Sequence, residues 1–125
     1  MSERVPVLKI GEVLLVSIQV DLEDQTVLDL QDDLAARIVA TGARGVVIDI
    51  TAVEIVDSFV GRMLATTAAI SRMLDAETVV VGMRPAVAIT LVELGLSLGG
   101  VRTALSLEKG LEILARPDSR RPARP

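Results

Sequence analysis

Fourteen consecutive residues concentrate the chemistry this chain can offer: Asp49-Ile50-Thr51-Ala52-Val53-Glu54-Ile55-Val56-Asp57-Ser58-Phe59-Val60-Gly61-Arg62. They hold carboxylates (Asp49, Glu54, Asp57), hydroxyls (Thr51, Ser58) and one guanidinium (Arg62). Ser58 stands where a helix should begin. From spacing alone its hydroxyl is a cap that accepts a hydrogen bond from the amide of Val60 or Gly61. Sharper chemistry fails on missing partners. A serine nucleophile needs an adjacent base, yet the chain has no histidine, and Lys9 and Lys109 are its only lysines. The run is also not the Gly-x-Ser-x-Gly nucleophile elbow. Asp49 at a strand end has the placement of a phosphoryl-accepting aspartate, but the acidic pair that would hold magnesium is absent, since Leu22 follows Asp21. No phosphate-cradling glycine motif occurs, and Gly99-Gly100 reads as a turn. The chain reads as non-enzymatic.

Composition narrows the field further. With 125 residues, half of them hydrophobic, the chain suits one domain with a sizeable core. The absence of cysteine excludes disulfides, thiolate metal sites and iron–sulfur clusters. The absence of histidine removes the commonest metal ligand, so neither a metal nor a cofactor is expected. Phe59 is the only aromatic residue, too little for stacking nucleic-acid bases. The last ten residues hold four arginines against one aspartate; the first 115 hold 9 basic and 16 acidic groups and carry −7. Such an acidic body disfavours nucleic acid and anionic lipid. Nothing resembles a signal peptide or an apolar run of membrane-spanning length. A cytoplasmic protein is expected.

The pattern of apolar residues supplies the elements that must position this loop. Val5–Ile10 and Val13–Val20 read as strands joined by Gly11-Glu12, a type II′ hairpin. Asp24 is the expected cap of a first helix with Val27, Leu30, Leu34 and Ile38 on one stripe and Gly42 at its end. Gly45–Ile50 is a continuous apolar strand, as in a parallel sheet covered on both faces. A helix over Ser58–Leu74, a strand near Val79–Gly82 and a helix starting at Pro85 follow, the last with Val87, Leu91 and Leu94 inward and Gly95 as its stop. A short strand at Val101–Ala104 precedes a last helix capped by Ser106, with Leu107, Leu111 and Leu114 inward. The order β-β-α-β-α-β-α-β-α implies an α/β fold: a mixed, mostly parallel five-stranded sheet with an N-terminal antiparallel hairpin and about four helices. Residues 1–115 form the domain, and the proline- and arginine-rich residues 116–125 read as a disordered, solvated basic tail. Between Asp21 and Asp33 lie six acidic residues and no basic one, either a solvated face or a docking surface for a basic partner.

With that order, Asp49-Ile50-Thr51 closing the central strand and Asp57-Ser58 opening the next helix, the chain resembles the STAS domain of anti-sigma-factor antagonists. The run Glu54-Ile55-Val56-Asp57-Ser58-Phe59-Val60-Gly61-Arg62-Met63 is closer still to the RsbS-type stressosome subunits within that family. The resemblance spans about residues 4–115. It implies that Ser58 is a phosphoacceptor for an RsbT-like serine kinase, which is sequestered and then released on phosphorylation to control a stress-response pathway by partner switching. It further implies an RsbR-like STAS co-antagonist, an RsbX-like phosphatase, and a homodimer within a large assembly. Two alternatives stand beside it: a freestanding antagonist that binds an anti-sigma factor directly, and an unphosphorylated scaffold subunit. Phe59 in place of a small residue, with glycine delayed to Gly61, departs from the simple sporulation-type antagonists.

Around Ser58, the residues expected to meet a partner are Glu54, Val56, Asp57, Phe59 and Arg62. Phe59 is either core or an exposed anchor. Arg62, one turn on, either holds a phosphate or is solvated. Gly61 gives up helix propensity, for close approach of a kinase or for tight packing on the sheet.

Overall fold

Alternating side chains in the first two strands need one buried face, and pairing supplies it. In the computed structural model, residues 5–19, 22–95 and 101–115 are described. Strands β1 (Val7–Ile10) and β2 (Val13–Ser17) form an antiparallel hairpin in which Ile10 faces Val13 and Val7 faces Val16. Of the two turn residues only Gly11 takes a positive φ, +60°, as a type II′ turn requires. Leu14, Val16 and Ile18 all point into the core.

Helix α1 (Asp24–Thr41) follows, then β3 (Gly45–Asp49), α2 (Ser58–Met73), β4 (Glu77–Val81), α3 (Pro85–Glu93), β5 (Arg102–Ala104) and α4 (Leu107–Ala115). The sheet runs β1-β2-β3-β4-β5, parallel from β2 onward. Each crossover steps one strand in the same direction, so right-handed connections put α1, α2 and α3 on one face. Their inward residues, including Leu30, Leu34, Leu64 and Leu91, form one core with Val46, Ile48 and Val80. On the opposite face α4 stands against β3, β4 and β5, with Leu114 packed among Val13, Val47, Val79 and Val81. That helix lies close because Gly110 faces the strands: a Cβ there would sit 2.7 Å from Val81 Cγ1.

The expected stripe of α1 is buried, and Gly42 closes that helix at φ +66°, its amide on the Ile38 carbonyl. Ser106 caps α4 by accepting from the amide of Lys109 at 3.2 Å. Three expectations shift. Glu23, not Asp24, is the residue before α1, and no side chain caps it; the Glu23 carbonyl takes the first helical bond from Val27. Leu94 is 46% exposed rather than inward, because α3 ends at Glu93 and the chain turns away through Gly95 at φ +69°. Strands β1, β2, β3 and β5 are shorter than expected. Val20, Gly99-Gly100 and the basic tail lie outside the described residues.

An edge strand carries unpaired backbone groups that invite other chains. On β1 one of them is occupied: Arg37 of α1 donates to the Val7 carbonyl at 3.1 Å.

Candidate functional site

The loop between β3 and α2 is built from its two buried ends. Ile50 is fully buried and its amide still bonds Val81, extending the pairing of β3 with β4 by one residue. Val56 is 7% exposed and returns the chain to the same core. The burial of Val56 corrects the expectation that it meets a partner: its side chain faces inward. Ile55 beside it faces out, 85% exposed.

Between these anchors the backbone is tied at Thr51. The Asp49 carboxylate accepts from the Thr51 amide at 2.9 Å and its hydroxyl at 2.6 Å. Gly82, just after β4, holds φ +76°, and any Cβ on it would overlap the Thr51 side chain. From 33 residues away, Arg84 Nε donates to the Thr51 carbonyl at 3.1 Å. The same guanidinium lies 3.8 Å from Glu54, an exposed pairing worth little by itself. Arg84 and Gly82 carried no signal in the sequence that pointed to this loop, since the contact depends on β3 and β4 being neighbours.

The start of α2 corrects the role read from spacing. Asp57, not Ser58, is the cap: its backbone is extended (φ −119°, ψ −175°) and its carboxylate accepts from the Val60 amide at 3.0 Å. Its carbonyl takes the Gly61 amide at 3.2 Å, the first turn of the helix. Ser58 is therefore the first helical residue, half-buried, and its hydroxyl makes no hydrogen bond among the described residues. Both residues are good caps; the buried Val56 sets the chain so that Asp57 fills that position.

The remaining site residues divide the same way. Phe59 is half-buried, packs against the main core and also lines a cleft of about 320 Å³. That cleft runs between the end of β2 and the loop, with Ile18, Leu22, Val53, Ile55 and Asp57 along it. Gly61 is buried on the inward face of α2. Arg62 is exposed and has no ion-pair partner among the described residues. Glu23 just before α1 and Asp24 and Asp32 on it are exposed, and Asp29 accepts from Gln25 at 2.9 Å. No helix among the described residues is long and apolar enough to cross a membrane.

Comparison with known proteins agrees with this geometry. The STAS domain family matches residues 4–109. The structure of Moorella thermoacetica RsbS S58E superposes with a TM-score of 0.76 at 43% identity, covering 88% of this chain and 93% of that one. A chain from the molecular architecture of the stressosome, described as a signal integration and transduction hub, gives 0.77 at 44% identity over 87% and 95%. The RsbT co-antagonist protein RsbRA of Bacillus subtilis is 32% identical over 83 residues, 66% of this chain but 30% of that protein. The chain thus spans less than a third of the length of the curated relatives it matches.

Proposed function

The chain belongs to the STAS domain family, and from that premise we propose that it is a non-enzymatic, RsbS-like stressosome regulator that holds an RsbT-like serine kinase and lets it go when Ser58 is phosphorylated. RsbR-like STAS proteins are its co-antagonists in a large assembly built from homodimers, and an RsbX-like phosphatase restores the hydroxyl. The observation that carries the reading is the division of labour at α2: Asp57 caps the helix, which leaves the Ser58 hydroxyl without a hydrogen bond among the described residues. A hydroxyl that caps nothing can be modified without unravelling a helix.

In the transfer, Ser58 Oγ bonds to the γ-phosphorus of ATP, the bond to the β,γ-bridging oxygen breaks, and ADP leaves. The hydroxyl proton passes to a base of the kinase. The product adds about −1.5 to −2 charges at neutral pH. At the first turn of a helix, the free amides and the dipole favour an anion by roughly 0.3–1 kcal/mol. Asp57 opposes that, and Arg62, one turn along the same face, supports it. The domain therefore tolerates the phosphate. A partner packed over this loop must instead desolvate it, and a penalty of about 2.7 kcal/mol weakens binding roughly 100-fold.

The test is phosphorylation itself. With an RsbT-type kinase and ATP, the wild-type chain gains one phosphate, mapped to Ser58 by mass spectrometry, and Ser58→Ala gains none. Phosphate at another residue, or kinase affinity unchanged by the modification, overturns the proposal.

A further inference from the structure

We propose that Ile55 is the apolar anchor on which the serine kinase docks, and that Arg84 is the positioning residue that holds it out. The inference rests on the reading of Ser58 as the phosphoacceptor and adds how the kinase grips the loop.

Ile55 is 85% exposed between two fixed points, the braced Thr51 and the buried Val56. A large apolar side chain in water forgoes the stabilisation of burial and recovers it when a partner covers it. The partner follows from distance. Three residues of chain reach at most about 11 Å, so Ile55 lies within that span of Ser58. A standard interface buries about 800 Å² on each side, a disc of roughly 16 Å radius. Ile55 also lines the same cleft as Asp57 and Phe59, the neighbours of Ser58, so a kinase footprint of that size centred on Ser58 covers Ile55.

Exposure alone does not make an anchor, and α2 provides the contrast. Met73, at the far end of that helix, is 86% exposed. It lies 15 residues beyond Ser58, about 22 Å along the helix, outside the same disc. Arg84 matters because Thr51–Ile55 has few other ties: Asp49 and Gly82 secure only Thr51, and Val53 bonds back to Ile50 at 2.9 Å. The guanidinium bridges Thr51 and Glu54, directly ahead of Ile55.

Steady-state phosphorylation of the full chain by an RsbT-type kinase separates these roles, with circular dichroism confirming each fold. Ile55→Ser is expected to raise KM for the STAS protein about tenfold with kcat within twofold of wild type. Met73→Ser leaves both unchanged. Arg84→Ala raises KM several-fold although Ile55 is present, and Arg84→Lys, which can still donate to the Thr51 carbonyl, recovers most of it. A wild-type KM in Ile55→Ser, or a loss confined to kcat, overturns the anchor. An unchanged KM in Arg84→Ala overturns the positioning role. A wild-type chain that takes no phosphate on Ser58 brings down the acceptor reading and the anchor with it, which is a different result from a labelled wild type beside an unaffected Ile55→Ser.

Discussion

Asp57 and Ser58 are adjacent residues that could each cap α2, and only Asp57 does: its carboxylate holds the Val60 amide at 3.0 Å while the Ser58 hydroxyl bonds nothing among the described residues. The pairing separates holding the helix, done by Asp57, from the acceptor role proposed for Ser58.

Removing the cap should therefore cost stability at Asp57. Asp57→Ala is expected to lower unfolding free energy by about 1 kcal/mol, read from the urea midpoint at unchanged slope. Asp57→Asn, which keeps the acceptor oxygen, should stay near wild type. Equal losses in the two variants would assign the effect to charge instead.

A negative group at Ser58 should leave the fold in place. Ser58→Glu is expected within about 1 kcal/mol of wild type, since the helix terminus favours the charge and Asp57 disfavours it by comparable amounts. Moorella thermoacetica RsbS S58E keeps this fold at a TM-score of 0.76. Affinity for an RsbT-type kinase, measured by calorimetry, should fall at least tenfold, because the proposed docking would desolvate the carboxylate.

Gly82 should resist substitution for two reasons that can be separated. Gly82→Ala forces a non-glycine residue to φ +76° and drives its Cβ into Thr51, for a combined loss of about 2–3 kcal/mol. In a Thr51→Ala background the hydroxyl overlap is removed, although the Cβ and amide of residue 51 stay close at 3.0 and 3.1 Å, so the second loss should be smaller than the first. Strict additivity in this double-mutant cycle would show that the backbone conformation alone is responsible.

Two buried threonines should answer the same change with opposite signs. Thr78 on β4 is 2% exposed and its hydroxyl has no partner among the described residues. Thr78→Val should stabilise the domain by about 1 kcal/mol. Thr67 on α2 is equally buried, yet its hydroxyl accepts from Gln31 at 3.2 Å. Thr67→Val should destabilise by a similar amount, with urea denaturation deciding both.

Much of this architecture is legible one residue at a time. The stripe Val27, Leu30, Leu34 and Ile38 announces α1 because helical spacing brings those side chains to one face. Pro85 opens α3, and Gly11 and Gly42 mark turns, because φ preference is a property of the residue itself. The loop between β3 and α2 has no such period. Ile55 and Val56 are neighbouring β-branched residues of nearly equal hydrophobicity, and nothing local tells which of them is buried.

That choice belongs to the assembled sheet. Local chemistry determined the alternation of strands and helices, the covered faces and the run around Ser58 that marks the family. Packing decided that Val56 turns inward and Ile55 outward, that Asp57 takes the cap ahead of Ser58, and that Arg84 reaches Thr51 across 33 residues. The first two depend on the core that the helices close over the sheet, and the last on β3 lying beside β4, neighbourhoods that exist only once the chain has closed on itself.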